Sequence, residues 1–98
     1  MSTLVNLAIF PIGRGESVSA YVARTVAIIR DSGLDYQMGP MGTAIEGEWA
    51  EVMAVVERCL QALAADCDRV YGIVTFDWRR GQGGRLTQKV QSVADKLA

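Results

Sequence analysis

Histidine is absent from this sequence. The side chain that most often acts as a general base near neutral pH, and the commonest metal ligand, is therefore missing. Cysteine is scarce: Cys59 and Cys67, with seven residues between them, form no zinc pattern. So few cysteines exclude a disulfide scaffold and point to a reducing, cytoplasmic setting. Concentrated positive charge is also lacking, since ten basic residues face eleven acidic ones for a net charge of −1, and that balance argues against nucleic acid as a partner. No apolar run approaches the ~20 residues that cross a bilayer. The first such run, residues 4–12, has no Lys or Arg before it and is closed by Pro11 and Gly13, which excludes a signal peptide as well as a span. The acids are scattered singly or along helix surfaces, where they read as solvated charge. The expectation is thus no catalytic residue, no metal site, no cofactor and no membrane partner.

What is present suits one globular domain spanning residues 1–98. Half of the residues are hydrophobic and a fifth are charged, ordinary values for a folded soluble chain. At this length folding buries only about 60–65% of the unfolded surface, so one core is all the chain supports.

Residues 4–12 alternate in a β-rich run and read as a strand ending near Pro11. After Gly13-Arg14-Gly15, Ser17 is the expected N-cap of a helix whose Val18, Val22, Val26 and Ile29 share one face and which Gly33 stops. Residues 36–38 and 43–46 are short extended stretches around Gly39-Pro40-Met41-Gly42, a hairpin pattern. Residues 48–65 carry Val52, Val56, Cys59 and Leu63 along a second helical face. Cys59 on that face reads as a small buried hydrophobe rather than a nucleophile. Residues 69–78 return to β-type residues, apolar at both parities, which predicts a strand covered on both faces. Thr87 is the expected cap of a short closing helix bearing Val90, Val93 and Leu97.

The order β-α-β-β-α-β with an appended helix predicts the ferredoxin-like α+β sandwich: an antiparallel four-stranded sheet, two helices on one face, and a short C-terminal helix. That fold leaves a sheet face bare. The first and last strands offer apolar side chains to both faces, Phe10 at one parity and Phe76 with Trp78 at another, so association between copies follows. The last helix can cover its own sheet or a neighbour's.

Three segments bear on function. Gly13-Arg14-Gly15-Glu16-Ser17 joins a strand to a helix and could receive an anion on its backbone N–H groups, but it lacks the third glycine of a dinucleotide fingerprint and the lysine of a P-loop, and a turn with an N-cap explains it. Residues 79–85 gather Arg79, Arg80 and Arg85 among glycines; the readings are a flexible linker or a contact for RNA. Residues 36–49, written YQMGPMGTAIEGEW, mix two aromatics, two methionines, a hydroxyl and three glycines in fourteen positions. A small-molecule cleft uses such a mixture. Packing of Tyr36 and the methionines under the second helix, with Trp49 stapling its start, uses it equally well.

That stretch resembles the Y-x-x-G-P-M-G-T-x-I-E-G motif of a family of small thiamine-binding proteins. The opening FPIGRGESVSAYVA is similar to the family's P-I-G-x-G-x-S-V-S-x-Y-V start, EVMAVV resembles its second helix, and DWRRGQGGRLTQKVQSVADKLA resembles its D-x-R ending and closing helix, although Gln82-Gly83-Gly84 stand where the family usually has acidic or lysine-rich residues. The resemblance implies a ferredoxin-like fold, homotetramers built from dimers, and binding of thiamine or its hydroxymethylpyrimidine part without catalysis. By position in the motif, Tyr36 and Phe10 would stack on the ligand, Thr43 and Ser19 would meet the pyrimidine nitrogens or amine, Glu46 the amine or the thiazolium, and Met38 would form an apolar wall. Gly39, Gly42 and Gly47 are expected to serve close strand approach rather than contact the ligand. Another class of function is a regulatory or assembly module whose open sheet binds a protein, with no small-molecule ligand.

Overall fold

The computed structural model describes residues 2–15, 18–81 and 84–98. The elements follow in the order β1 (Ser2–Pro11), α1 (Ser19–Asp31), β2 (Asp35–Met38), β3 (Thr43–Gly47), α2 (Trp49–Ala64), β4 (Val70–Arg79) and α3 (Arg85–Leu97). The strands form one sheet in the order β2-β3-β1-β4, with every neighbouring pair antiparallel. This is the ferredoxin-like arrangement that the element order predicts.

Strand alternation sorts the side chains onto two faces. Val5, Leu7 and Ile9 of β1 and Ile45 of β3 point toward α1 and α2, where Ile29, Val52, Val55, Cys59 and Leu63 meet them in the core. Each fully buried aliphatic chain there contributes roughly 1.5–3 kcal/mol. The second helical face holds Val55 fully buried and Val56 only half-buried, a turn of the stripe by one residue from the periodicity. Cys59 is wholly buried, as its place on that face predicts. Ser17, the expected cap of α1, lies outside the described residues; Val18 stands at the N-cap position.

Glycine works here through proximity. A Cβ on Gly42 would lie 2.7 Å from the Asn6 amide nitrogen, and one on Gly47 would lie 3.2 Å from Leu34 and 3.3 Å from Val52. These positions need a residue without a side chain because strands and helix approach closely.

Two expectations are corrected. The strand predicted to be covered on both faces, β4, is exposed on both, with Ile73 and Tyr71 about half exposed on one side and Phe76 and Trp78 exposed on the other. It is the sheet's edge, and the two helices centre on β1 and β3. An apolar pattern at both parities reports avoidance of water, not which neighbour provides it. The closing helix starts at Arg85 rather than after Thr87, and Gly84, with φ +83°, holds the N-cap position. From Thr87 onward every residue of the helix is exposed, including Val90, Val93 and Leu97.

Candidate functional site

The strand lengths create the site. β1 pairs with β4 along its whole length, from Ser2 to Pro11, but with β3 only from Thr3 to Leu7. Before Thr43 the chain turns through Gly39-Pro40-Met41-Gly42, closed by the Gly39 N–H donating to the Gly42 carbonyl at 2.9 Å. The last residues of β1 therefore have no strand beside them on that side. A cleft of about 420 Å³ fills this gap, and its lining includes Ile9, Phe10, Val22, Met38, Thr43 and Ile73 together with the turn itself. Because the sheet is incomplete here, the cleft draws side chains from both faces: Ile9 and Thr43 from the helix side, Phe10 and Ile73 from the other.

No described residue lining the cleft is ionisable. Of its hydroxyls, that of Thr25 donates to the Val22 carbonyl at 2.8 Å and is committed within α1. Thr43 is 5% exposed and opens onto the cleft. A second groove of about 410 Å³ runs along α1 beside β2 and is lined by Ser19, Val26, Arg30 and Tyr36. Met38 and Val22 border both spaces. The Arg30 guanidinium donates to Asp31 at 2.9 Å, which holds its pKa above the ordinary range.

Of the six residues singled out from the sequence, Phe10, Met38 and Thr43 come together in the cleft and Ser19, Tyr36 and Met38 in the groove. Phe10 and Tyr36 lie on opposite faces of the sheet, so their rings do not sandwich one ligand; the Phe10 ring pairs with Tyr71 at 5.7 Å. Glu46 is brought to neither space. It lies on the sheet face away from α1 and α2, where its carboxylate accepts the N–H groups of Gly84 at 3.0 Å and Arg85 at 2.9 Å and the Ser2 hydroxyl at 3.3 Å. It caps α3 from a distant part of the chain, satisfying N–H groups that Gly84 cannot.

Arg85 is held in the same knot. Its guanidinium donates to the Ser2 and Asp77 carbonyls at 3.0 and 2.6 Å and pairs with the Asp77 carboxylate at 2.8 Å. Lys89 adds a second contact to Asp77, and these partners hold the Asp77 carboxyl below its ordinary pKa. Arg85 is thus an anchor 2% exposed, which removes one of the three arginines of the expected linker from reach of any RNA. Gln82 and Gly83 of that segment lie outside the described residues. Sequence reasoning missed Ile9, Thr25 and Ile73 of the cleft, because only the strand register brings Ile73 of β4 to the mouth formed by β1 and the hairpin.

A family model described as "Thiamine-binding protein" matches residues 5–94. The chain belongs to the thiamine-binding protein family. A UPF0045 protein of Mycobacterium bovis is 47% identical over 94 residues, covering 95% of this chain and 92% of its own length. Among solved structures, a hypothetical protein of Methanocaldococcus jannaschii superposes with a TM-score of 0.86 at 25% identity, covering 95% of this chain and 96% of that one. A Thermotoga maritima protein provisionally assigned to thiamine biosynthesis or salvage superposes with a TM-score of 0.84 at 22% identity, covering 95% and 99% of the two chains. Among the described residues no group of three His, Cys, Asp or Glu side chains is poised for a metal ion, and no helix is long and apolar enough to cross a membrane.

Proposed function

We propose that this member of the family binds thiamine or its hydroxymethylpyrimidine moiety without transforming it, and does so in the cytoplasm. The observation that carries the reading is the uncharged cleft at the end of β3, where Phe10, Met38 and Thr43 converge. A flat, neutral aminopyrimidine suits apolar walls with a few polar anchors. In this reading the Thr43 hydroxyl meets the pyrimidine, and the thiazolium of thiamine extends past Met38 into the groove toward Tyr36 and Ser19, where the Tyr36 ring offers a face to the cation. Glu46 serves the fold instead. The provisional assignment of the Thermotoga maritima protein agrees with a vitamin B1 role.

Calorimetry with thiamine and with hydroxymethylpyrimidine tests the proposal. Saturable heat with at least one is expected, and Thr43→Val should weaken it about tenfold, the effect of leaving a polar ligand atom unpaired. No heat with either ligand overturns the reading.

The exposed apolar side chains of β4 and α3 support a second element, self-association into a homotetramer built from dimers. Phe76 is 60% exposed and Leu97 83%, more apolar surface than a lone soluble chain usually leaves in water. Sedimentation of the native protein as a monomer at micromolar concentration would refute this and favour a different protein as the occupant of those surfaces.

A further inference from the structure

The polar inventory of the cleft is short: Thr43 has the available hydroxyl, Thr25 is committed, and no described lining side chain is ionisable. Main-chain groups complete it. In an antiparallel strand the N–H and C=O of one residue point to the same side, and successive residues alternate. The Ile12 N–H donates to the Arg69 carbonyl at 2.9 Å, continuing the unbroken β1–β4 register that pairs Phe10 with Tyr71 and Ala8 with Ile73. Even-numbered residues of β1 therefore bond to β4, and odd-numbered ones face β3. Thr3, Val5 and Leu7 find their partners there in Gly47, Ile45 and Thr43. The next position, Ile9, would pair with Met41, but the chain has already turned away and Met41 is 87% exposed. Pro11 occupies the odd position after that and has no N–H to lose.

We infer that the N–H and C=O of Ile9, the β1 residue beyond the last β3 pair, are the main-chain anchor of the cleft and recognise a heteroaromatic ring bearing an exocyclic amine. Its N–H donates to a ring nitrogen or its C=O accepts from the amine, in the place of a missing strand. This rests on the binding reading above and deepens it, because it gives the chemical basis of selection: a pyrimidine without the amine keeps the apolar contacts and loses the acceptor's partner. Such recognition depends on register, not on the identity of a side chain.

Nuclear magnetic resonance on the full-length protein tests it. In the free protein the Ile9 amide should exchange with solvent faster than those of Leu7 and Phe10, which are locked in the ladder. With saturating hydroxymethylpyrimidine, Ile9 exchange should slow about tenfold, and the analogue lacking the 4-amino group should bind about tenfold more weakly. The Thr43→Val variant should retain most of the discrimination between amine and analogue, which separates the main-chain anchor from the hydroxyl. Heat of binding with an unmoved Ile9 amide and carbonyl, or equal affinity for the two pyrimidines, overturns this inference and leaves the binding reading intact. Absence of heat with both ligands overturns both.

Discussion

Replacing Glu46 by alanine distinguishes a residue that holds the fold from one that holds a ligand. The carboxylate accepts two main-chain N–H groups, from Gly84 and Arg85, and a bond to a charged partner is worth about 1.5 kcal/mol at the low end. Together they set the loss near 3 kcal/mol. The Arg85 guanidinium keeps the Ser2 and Asp77 carbonyls and the Asp77 carboxylate, so it is not stranded, and the loss stays at the lower end of the ~3–5 kcal/mol for a broken buried pair. At ~4–8 °C per kcal/mol for a domain of this size, Tm should fall by about 12–24 °C. Circular dichroism melts at one fixed protein concentration measure this, since self-association itself shifts Tm. Hydrogen exchange should localise the effect to the Gly84 and Arg85 amides. Glu46→Gln keeps an acceptor oxygen and should lose about half as much. A Tm change below about 4 °C for Glu46→Ala, together with lost ligand affinity, would refute the capping role and return Glu46 to the site.

Other consequences are as direct. The Thr3 hydroxyl is buried with no hydrogen-bond partner among the described residues, so Thr3→Val should raise stability by about 1 kcal/mol in urea unfolding. Burial pushes the Cys59 thiol up to about 11; thiol-reactive probes should leave it unlabelled at pH 8 in the native protein and modify it once urea opens the core. The Arg24 guanidinium donates to Asp66 at 2.9 Å and holds that carboxyl below its ordinary 3.8. A lowered folded-state pKa gives stability that is present above the unfolded value and lost as pH falls through the folded one. Arg24→Met should therefore flatten the pH dependence of Tm below about pH 4, and an unchanged acid limb would count against the clasp.

The element order and the core faces of β1 and α2 were legible because those elements have clean periods: Val5, Leu7 and Ile9 at two, Val52, Cys59 and Leu63 at three to four. The face expected for α1 was not, since Thr25 and Ile29 are its buried residues, with Tyr21 and Ile28 packed beside them, while Val22 and Val26 line the cleft and the groove. Nor was the start of α3. Glycine at Gly84 signals a cap weakly, and the group that satisfies the helix is Glu46, nearly forty positions away in a strand that ordinarily advertises nothing about helices. The same distance hid the fate of Arg85, which as sequence is one more charge in a glycine-rich loop. β4 misled for another reason, since hydrophobicity at both parities does not distinguish a central strand from an edge. In the site, Met38 and Thr43 could be read from the motif, whereas the separation of Phe10 from Tyr36 required the register, as alternation along each strand fixes faces only once the pairing is known.

The five-residue length of β3 beside the ten of β1 carries a consequence for how this scaffold can change. The core packs beneath Ile45, in the middle of the shared register, and the cleft opens past its Thr43 end. Lengthening the hairpin by two residues on each strand would carry β3 onto Ile9 and close the cleft, while shortening it would widen the opening, and in both cases the packing beneath Ile45 is untouched. Cavity size is then a matter of where a turn is placed, adjustable by insertion or deletion without renegotiating the hydrophobic interior.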